Sequence, residues 1–411
     1  MSKEKHVLIS GGGPVGVVTG LALARAGIRV TVFDRLPKPA EDHRAATLQP
    51  STLDLFVKLG LTDEILRQGI ESPVFQWRDR ITNDIVAEFD YRMLAGESRY
   101  PFVIQLEQHK TIYIALAAAM KEPLFTMHRP AEVLSASQTA DGVTLEVKHE
   151  DGSVRSYQGD YLIGCDGGRS VIRKTMGVSF DGFTWPERFN IVATTTDFEP
   201  DNYRFRNYCS HPDRWCALMK VPGDDGKGIW RCLFPAKEEE SDEYVMSDEW
   251  IQARFDECLP SDKPYQIVHR NMYSVHQRVA GKFNQGRFVL AGDAAHVNNP
   301  VGGMGMNSGL QDGLNLADKL TQILLHGADA TALLDRYDRQ RRLTAIEYVQ
   351  AQSIANKKQL ETREPEERRK VLEDLAATAA DPVRARQYLL RSSMLALQAR
   401  AAAITLAEAA A

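Results

Sequence analysis

The sequence predicts an α/β protein: a Rossmann-like domain on a parallel sheet, an inserted β-sheet domain and C-terminal helices. Three stretches carry that prediction. "HVLISGGGPVGVVTGLALARAGIRVTVFDR" (His6 to Arg35) reads strand, glycine turn, helix, strand, a βαβ unit that implies a parallel sheet. From Phe180 to about Val275 the chain is β-rich, with apolar and polar residues alternating in "RWCALMKV" and "GIWRCLFPA". "RFVLAGDAAH" then returns to a buried-strand pattern, and helical spacing follows to the end of the chain.

Taken in order, "HVLIS" is an apolar strand, and Val15 to Arg25 has helical spacing without proline, closed by Gly27 as C-cap. "IRVTVFD" is β-branched and ends at Asp34. "LQPSTLDLFVKLGL" and "LEQHKTIYIALAAAM" read as helices flanking "VFQWRDRITNDIVAEFD", which alternates like an antiparallel hairpin. Two strands turn at Asp151-Gly152 and lead into the buried strand "YLIG". A long helix is expected from about Gly305 to His326, and everything after Thr331 reads helical. The charged run "KKQLETREPEERRKVLEDL" reads as a solvated helix pair, which equally permits a homodimer, and "LALQARAAAITLAEAAA" as a final helix. This order divides the chain into a discontinuous α/β domain (1–72, 101–179 and 276–345), a β-rich insert (73–100 and 180–275) and a C-terminal helical region (346–411).

At 411 residues, two or three domains are expected. A net charge of -5 gives no reason to expect nucleic acid or an anionic membrane as partner. The five cysteines form no CxxC pair, which argues against a disulfide framework and a zinc site, so no metal is expected. No apolar run reaches the roughly 18–20 residues that span a bilayer. The opening "MSKEKHVLISGGG" has no signal-peptide pattern, so a cytoplasmic location is expected.

Gly11, Gly13 and Gly16 fit GxGxxG between a strand and a helix. Gly11 permits the tight turn, Gly13 lets a pyrophosphate approach the backbone, and Gly16 lets helix and strand pack closely. The helix that opens at Pro14 offers unpaired N–H groups to phosphates. Asp34, followed by Arg35, ends the second strand and is placed to accept both hydroxyls of an adenosine ribose. This unit alone leaves NAD and FAD open. The distant stretch "GRFVLAGDAAHVNNPVGGMGMNSG" separates them. Asp293 can accept from a polyol hydroxyl, and Gly302, Gly303 and Gly305 let backbone N–H groups approach a flat ring at a helix start. A helix N-terminus there favours the negative charge of a reduced flavin, so the pairing points to FAD.

With these residues in hand, the sequence resembles the FAD-dependent aromatic hydroxylases typified by para-hydroxybenzoate hydroxylase, over roughly residues 5–345. Three fingerprints occur in order: the GxGxxG unit with Asp34, the Asp-Gly motif in "CDGGRSVIR" with Asp166, and Gly292-Asp293 followed by "AAHVNNPVGGMGMNSG". The resemblance implies the para-hydroxybenzoate hydroxylase fold. It places Arg44 on the FAD pyrophosphate and Gln105 on the ribityl chain, sets Met306 and Asn307 near the pyrimidine edge, and lays the Pro300 carbonyl by the ring where oxygen reacts. Asn299-Pro300 replaces the two prolines common in the family. A single-site cycle is further implied, in which NADH or NADPH reduces the flavin, O2 adds, and a flavin hydroperoxide hydroxylates a phenolic or hydroxypyridine-type acidic aromatic. No second GxGxxG exists for the nicotinamide.

Substrate residues are expected on the β-rich insert, where "YRFRNYCSHPDRWCALMKV" supplies Tyr203, Arg206, Tyr208, His211 and Arg214. His211 and Tyr203 are the candidate catalytic groups, His211 because its ordinary pKa lies near neutrality. A loop histidine and a sheet tyrosine are the structural alternatives. Arg206 or Arg214 is a candidate for a substrate carboxylate. Cys216 and Cys232 read as small buried hydrophobes. Other readings are a same-fold FAD oxidoreductase, a polyketide-type tailoring oxygenase, or an FAD-binding regulatory protein without turnover.

Overall fold

A computed structural model describes residues 4–41 and 45–406. Its framework is a six-stranded sheet whose core is parallel. Strand β1 (His6–Ser10) is followed by helix α1 (Pro14–Arg25) and strand β2 (Arg29–Phe33). β1 lies between β2 and the Tyr161–Gly164 strand; Phe125–His128 extends the sheet beyond β2, and Phe288–Leu290 extends it beyond Tyr161–Gly164. All five run parallel because the chain crosses over between them. Their residues are mostly β-branched or aliphatic and buried on both faces, as a helix-covered parallel sheet requires.

The register matters more than the order. Ser10 is level with Phe33 and Gly164, Gly164 with Leu290, and Phe33 with His128. Five strands therefore stop in one row, and Gly11, Asp34, Cys165, Ala291 and Arg129 each follow directly. In an open α/β sheet that carboxyl edge is where ligands bind.

The long helix Gly305–His326 forms as expected and lies on α1. Its Gly309 and Gly313, one turn apart, face Val15 and Thr19 of α1: a Cβ at Gly309 would sit 2.8 Å from Val15 Cγ2 and 2.9 Å from Gly292 Cα. The absence of these side chains lets the two helix N-termini and the Gly292 turn meet.

A second, eight-stranded sheet carries the insert. From one edge it runs His296–Val297, Ile267–Ala280, Phe180–Thr194, Ile229–Ala236, Cys216–Val221, Arg206–Ser210, Val74–Asp79 and Ile85–Asp90. The last two form the expected hairpin. Ile267–Ala280 is one continuous strand, so a division at 275/276 would cut through it. A short sheet pairs Thr47 with Gln105, and Asn307 at the start of the long helix bonds to the Thr47 carbonyl.

Three expectations need correction. The β-rich stretch contains two helices, Asp242–Val245 and Asp248–Asp256, each started by a serine (Ser241, Ser247) that caps the third following amide. The charged C-terminal run is only partly solvated: its Leu360 and Leu375 are buried, with Leu389 of the following helix, in one cluster with Phe75, Trp77 and Phe89 of the hairpin. The helix of the alanine-rich tail stops at Ala403, and Glu408 lies outside the described residues.

Replacing Gly309 with alanine is expected to wedge α1 from the long helix and cost about 1–3 kcal/mol. A urea melt would show this as a lower midpoint at unchanged slope. An unchanged midpoint would contradict the close packing.

Candidate active site

The first glycine turn sits at the centre of the row of strand ends. Gly11 holds φ +105°, a left-handed conformation, and its Cβ position is filled by the Cys165 carbonyl, so no side chain fits there. Gly13 differs: it is the N-cap of α1, with Pro14 as first helical residue, and open space lies where its Cβ would be. Asp34 reaches back into this turn. Its Oδ2 accepts from Gly12 N at 2.6 Å and its Oδ1 from Leu36 N at 2.8 Å, while Arg35 is exposed. Asp166 serves the next strand end differently, accepting from Ser170 Oγ (2.5 Å) and from Val171 N and Ile172 N, the start of the Val171–Met176 helix. Burial pushes its carboxyl up against those hydrogen bonds.

The second turn lies directly against the first. Gly292 holds φ +64°, a Cβ there would be 2.9 Å from Val15 Cγ2, and Asp293 beside it is exposed. At the start of the long helix, Asn307 ties the second turn to the Thr47 segment. Its Nδ2 donates to Thr47 O and Gly303 O (both 2.8 Å), and its Oδ1 accepts from Gln49 N (2.9 Å). Asn307 thus fixes the turn's shape, and the first amides of the long helix, at Gly305 and Met306, have no intrahelical acceptor. The Pro300 carbonyl accepts from Gly303 N at 2.9 Å, closing the loop on itself. Asn299 is buried and donates from N and Nδ2 to Gln277 Oε1; proline at 299 would lose both bonds.

Beyond this loop stands Arg206, 1% exposed. Its guanidinium donates to Tyr208 Oη (3.0 and 2.6 Å), Tyr91 Oη (3.0 Å) and Gly302 O (3.1 Å). Burial opposes its charge, but the two phenol oxygens outweigh that and raise its pKa, while burial raises that of Tyr208. None of these bonds goes to a carboxylate. Arg231, paired across the sheet with Met219, is a second buried arginine; burial pulls it down to about 10, opposed by Tyr273 and Glu107.

The expected catalytic pair does not assemble. His211 follows Arg206 by five residues at the other end of the strand, about 16 Å away by the strand rise. Its Nδ1 accepts from Asp213 N (3.1 Å) and Arg214 N (3.0 Å), and burial followed by Arg80 and Arg214 lowers its pKa. It is a turn cap. Tyr203 lies in the core on the opposite sheet face, donating to Cys258 O at 3.1 Å, with its pKa raised by burial. Arg214 forms an exposed ion pair with Glu257. Cys216 and Cys232 are buried in the same core as Tyr203. Arg44 lies outside the described residues.

Sequence reasoning missed the buried network behind the second turn. Asp312, 0% exposed, accepts from Arg341 Nε (2.6 Å), His296 Nε2 (2.9 Å) and Gly292 N (3.1 Å). Burial would push its carboxyl up, but Arg341 and His296 hold it below the ordinary value. Asp312 lies within the expected Gly305–His326 helix, and no local pattern links it to Arg341 or to Gly292.

The residues present fit a flavin dinucleotide. Gln105 is buried; its Oε1 accepts from Thr47 Oγ1 at 2.8 Å, and its Nε2 has no partner among the described residues. That orphaned donor lies where a polyol chain would run between the two turns. The open Gly13 and the two helix N-termini supply an anion cradle at one end and a backbone-lined slot at the other.

Comparison with known proteins agrees with this geometry. The FAD binding domain family matches residues 4–352. Para-nitrophenol 4-monooxygenase of Pseudomonas sp. (strain WBC-3) is 32% identical over 389 residues, 93% of this chain and 94% of that protein. 6-Hydroxy-3-succinoylpyridine 3-monooxygenase HspB of Pseudomonas putida (strain DSM 28022 / S16) is 31% identical over 372 residues, 89% of this chain and 92% of that one. The crystal structure of p-nitrophenol 4-monooxygenase PnpA from Pseudomonas putida DLL-E4 superimposes with a TM-score of 0.89 at 30% identity, covering 94% of this chain and 96% of that chain.

Asp312→Asn should destabilise the protein at pH 7 by about 3–5 kcal/mol, since Arg341 stays buried without its acid. Because the Asp312 carboxyl is depressed in the folded state, its contribution is complete above about pH 3.9 and fades as pH falls through the folded value. Urea midpoints from pH 7 to pH 3 should show the gap between wild type and variant narrowing below about pH 4. A gap that stays constant would contradict the network.

Proposed function

The chain belongs to the FAD-binding-domain family, and from that membership we propose that it is a single-component flavin monooxygenase. It hydroxylates a phenolic or hydroxypyridine-type acidic aromatic, using O2 and NADH or NADPH. The observation that carries this reading is that the two glycine turns pack together, with Gln105 linked to the second turn through Thr47 and Asn307 and the buried Arg206 bonded to the Gly302 carbonyl of that turn.

When bound, FAD would supply the redox chemistry, the passage of two electrons from the nicotinamide to O2, with one oxygen atom entering the ring and the other leaving as water. The chain's own residues do the holding. The α1 N-terminus with Gly13 receives the pyrophosphate, Asp34 the ribose hydroxyls, Gln105 and Asp293 the ribityl chain. The backbone from Gly303 to Asn307 borders the ring. The Asp166 carboxylate, already spent on a helix N-terminus, acts by shaping its turn.

The eight-stranded sheet brings the buried Arg206 against the second turn, and exclusion of water there would strengthen every polar contact. Arg206 is a cation hydrogen-bonded only to neutral oxygens, so it favours an ionised phenol or carboxylate nearby and holds the ring in place. The relatives point the same way, one acting on para-nitrophenol and the other on a hydroxypyridine carrying a succinoyl group.

A panel of nitrophenols, hydroxybenzoates, phenylpropionates and hydroxypyridines tests this, with reduced nicotinamide and labelled O2. At least one compound should yield product carrying one labelled oxygen. Nicotinamide oxidation without labelled product across the panel would refute the oxygen-inserting reading and favour a same-fold oxidoreductase. Asp293→Ala should purify with less FAD than the wild type, read from the flavin-to-protein absorbance ratio; a full complement would contradict its ribityl role.

A further inference from the structure

Arg129 occupies the row of strand ends one place outward from Asp34, because His128 is level with Phe33. Its side chain is only 9% exposed. Nη2 donates to the Gly12 carbonyl at 2.6 Å and lies 3.5 Å from Asp34 Oδ2. The other two nitrogens, Nε and Nη1, are buried and have no partner among the described residues. Burial lowers the guanidinium's pKa, and Asp34 opposes that.

Buried N–H groups without acceptors are rare, and each calls for an explanation. The surroundings offer one. Arg129 lines a cleft of about 480 Å³ with Met127, Pro130, His149 and Arg155 among its walls. The side chain lies flush on the glycine turn: a Cβ at Gly12 would be 2.6 Å from Nη2. A dinucleotide with its pyrophosphate at Gly13 and its ribose at Asp34 continues outward across the sheet edge. The next strand outward is Phe125–His128, which Arg129 directly follows.

We propose that Arg129 is a binding residue for the adenosine-diphosphate half of FAD, donating from Nε and Nη1 to that half's phosphate or ring-nitrogen acceptors. Its contact with Asp34 and Gly12 holds the fork in place, so the ligand meets a preorganised donor. Arginine suits this task because its rigid planar group carries five N–H donors, so Nη2 can stay on the turn carbonyl while Nε and Nη1 each donate in a fixed direction. The inference rests on FAD as cofactor and adds a contact to that reading.

The test is calorimetric titration of the FAD-stripped chain with FAD and, separately, with ADP. Arg129→Gln should weaken both about tenfold or more, and Arg129→Lys, which keeps the charge but not the fork, should weaken both by a smaller factor. The melting temperature of each ligand-free variant should stay near that of the wild type. Unchanged affinities for FAD and ADP in folded variants would overturn the proposal. So would failure of the wild type to bind ADP at all, a result that needs no variant to fold. Weakened FAD and ADP binding with no hydroxylated product from any aromatic would refute the monooxygenase reading alone; product formation with unchanged affinities would refute the Arg129 assignment alone.

Discussion

Ser10, Phe33, Gly164 and Leu290 end four neighbouring parallel strands at one level, and that register decides where the protein can act. A shift of one residue in any pairing would move a turn out of the row and exchange the two buried faces of that strand, so that its side chains no longer match the helices that cover them. Held in register, the glycine turn, Asp34, the Asp166 motif and the Gly292 turn become neighbours although they are scattered along the chain. The α1 contact at Gly309 and Gly313 completes the arrangement by bringing the second helix start against the first.

Charge is distributed unevenly around this row. Behind it, Asp312 gathers Arg341, His296 and the Gly292 amide into a buried network that pins the second turn from within. A network of that kind is costly to break and therefore specifies geometry more than it adds stability. In front, Arg206 keeps its positive charge among phenol and carbonyl oxygens. One buried charge is satisfied by protein and serves structure. The other retains an uncompensated field that suits an acidic aromatic ligand.

The sequence made the first sheet and its turns readable because each signal there is local. Gly11 to Asp34 is one continuous βαβ unit, and "GDAAH…GGMGMNSG" announces a strand end and a helix start within a few residues. The Gly305–His326 helix was legible to its last residue. Residues whose role depends on distant pairing were not. His211 looked like a base because its partners, the amides of Asp213 and Arg214, are main-chain groups that no side-chain pattern records. Tyr203 and Tyr208 are both buried aromatics in one segment, yet the sheet sends one into a closed core and the other toward Arg206 and Gly302. Arg129 follows an ordinary strand, and only the pairing of His128 with Phe33 brings it to Asp34. The charged C-terminal run hid its buried leucines for a related reason: the face they cover belongs to a hairpin hundreds of residues earlier.

Convergence of the two glycine turns on one cofactor is the central claim, and a crystal structure of the FAD-loaded protein tests it most directly. The account predicts one continuous density with its diphosphate at Gly13 and the start of α1, its ribityl chain within hydrogen-bonding distance of Gln105 Nε2, and its ring bordered by residues 302–307. Density for the flavin ring anywhere other than the Gly302–Asn307 turn, or a nicotinamide in its place, would contradict it.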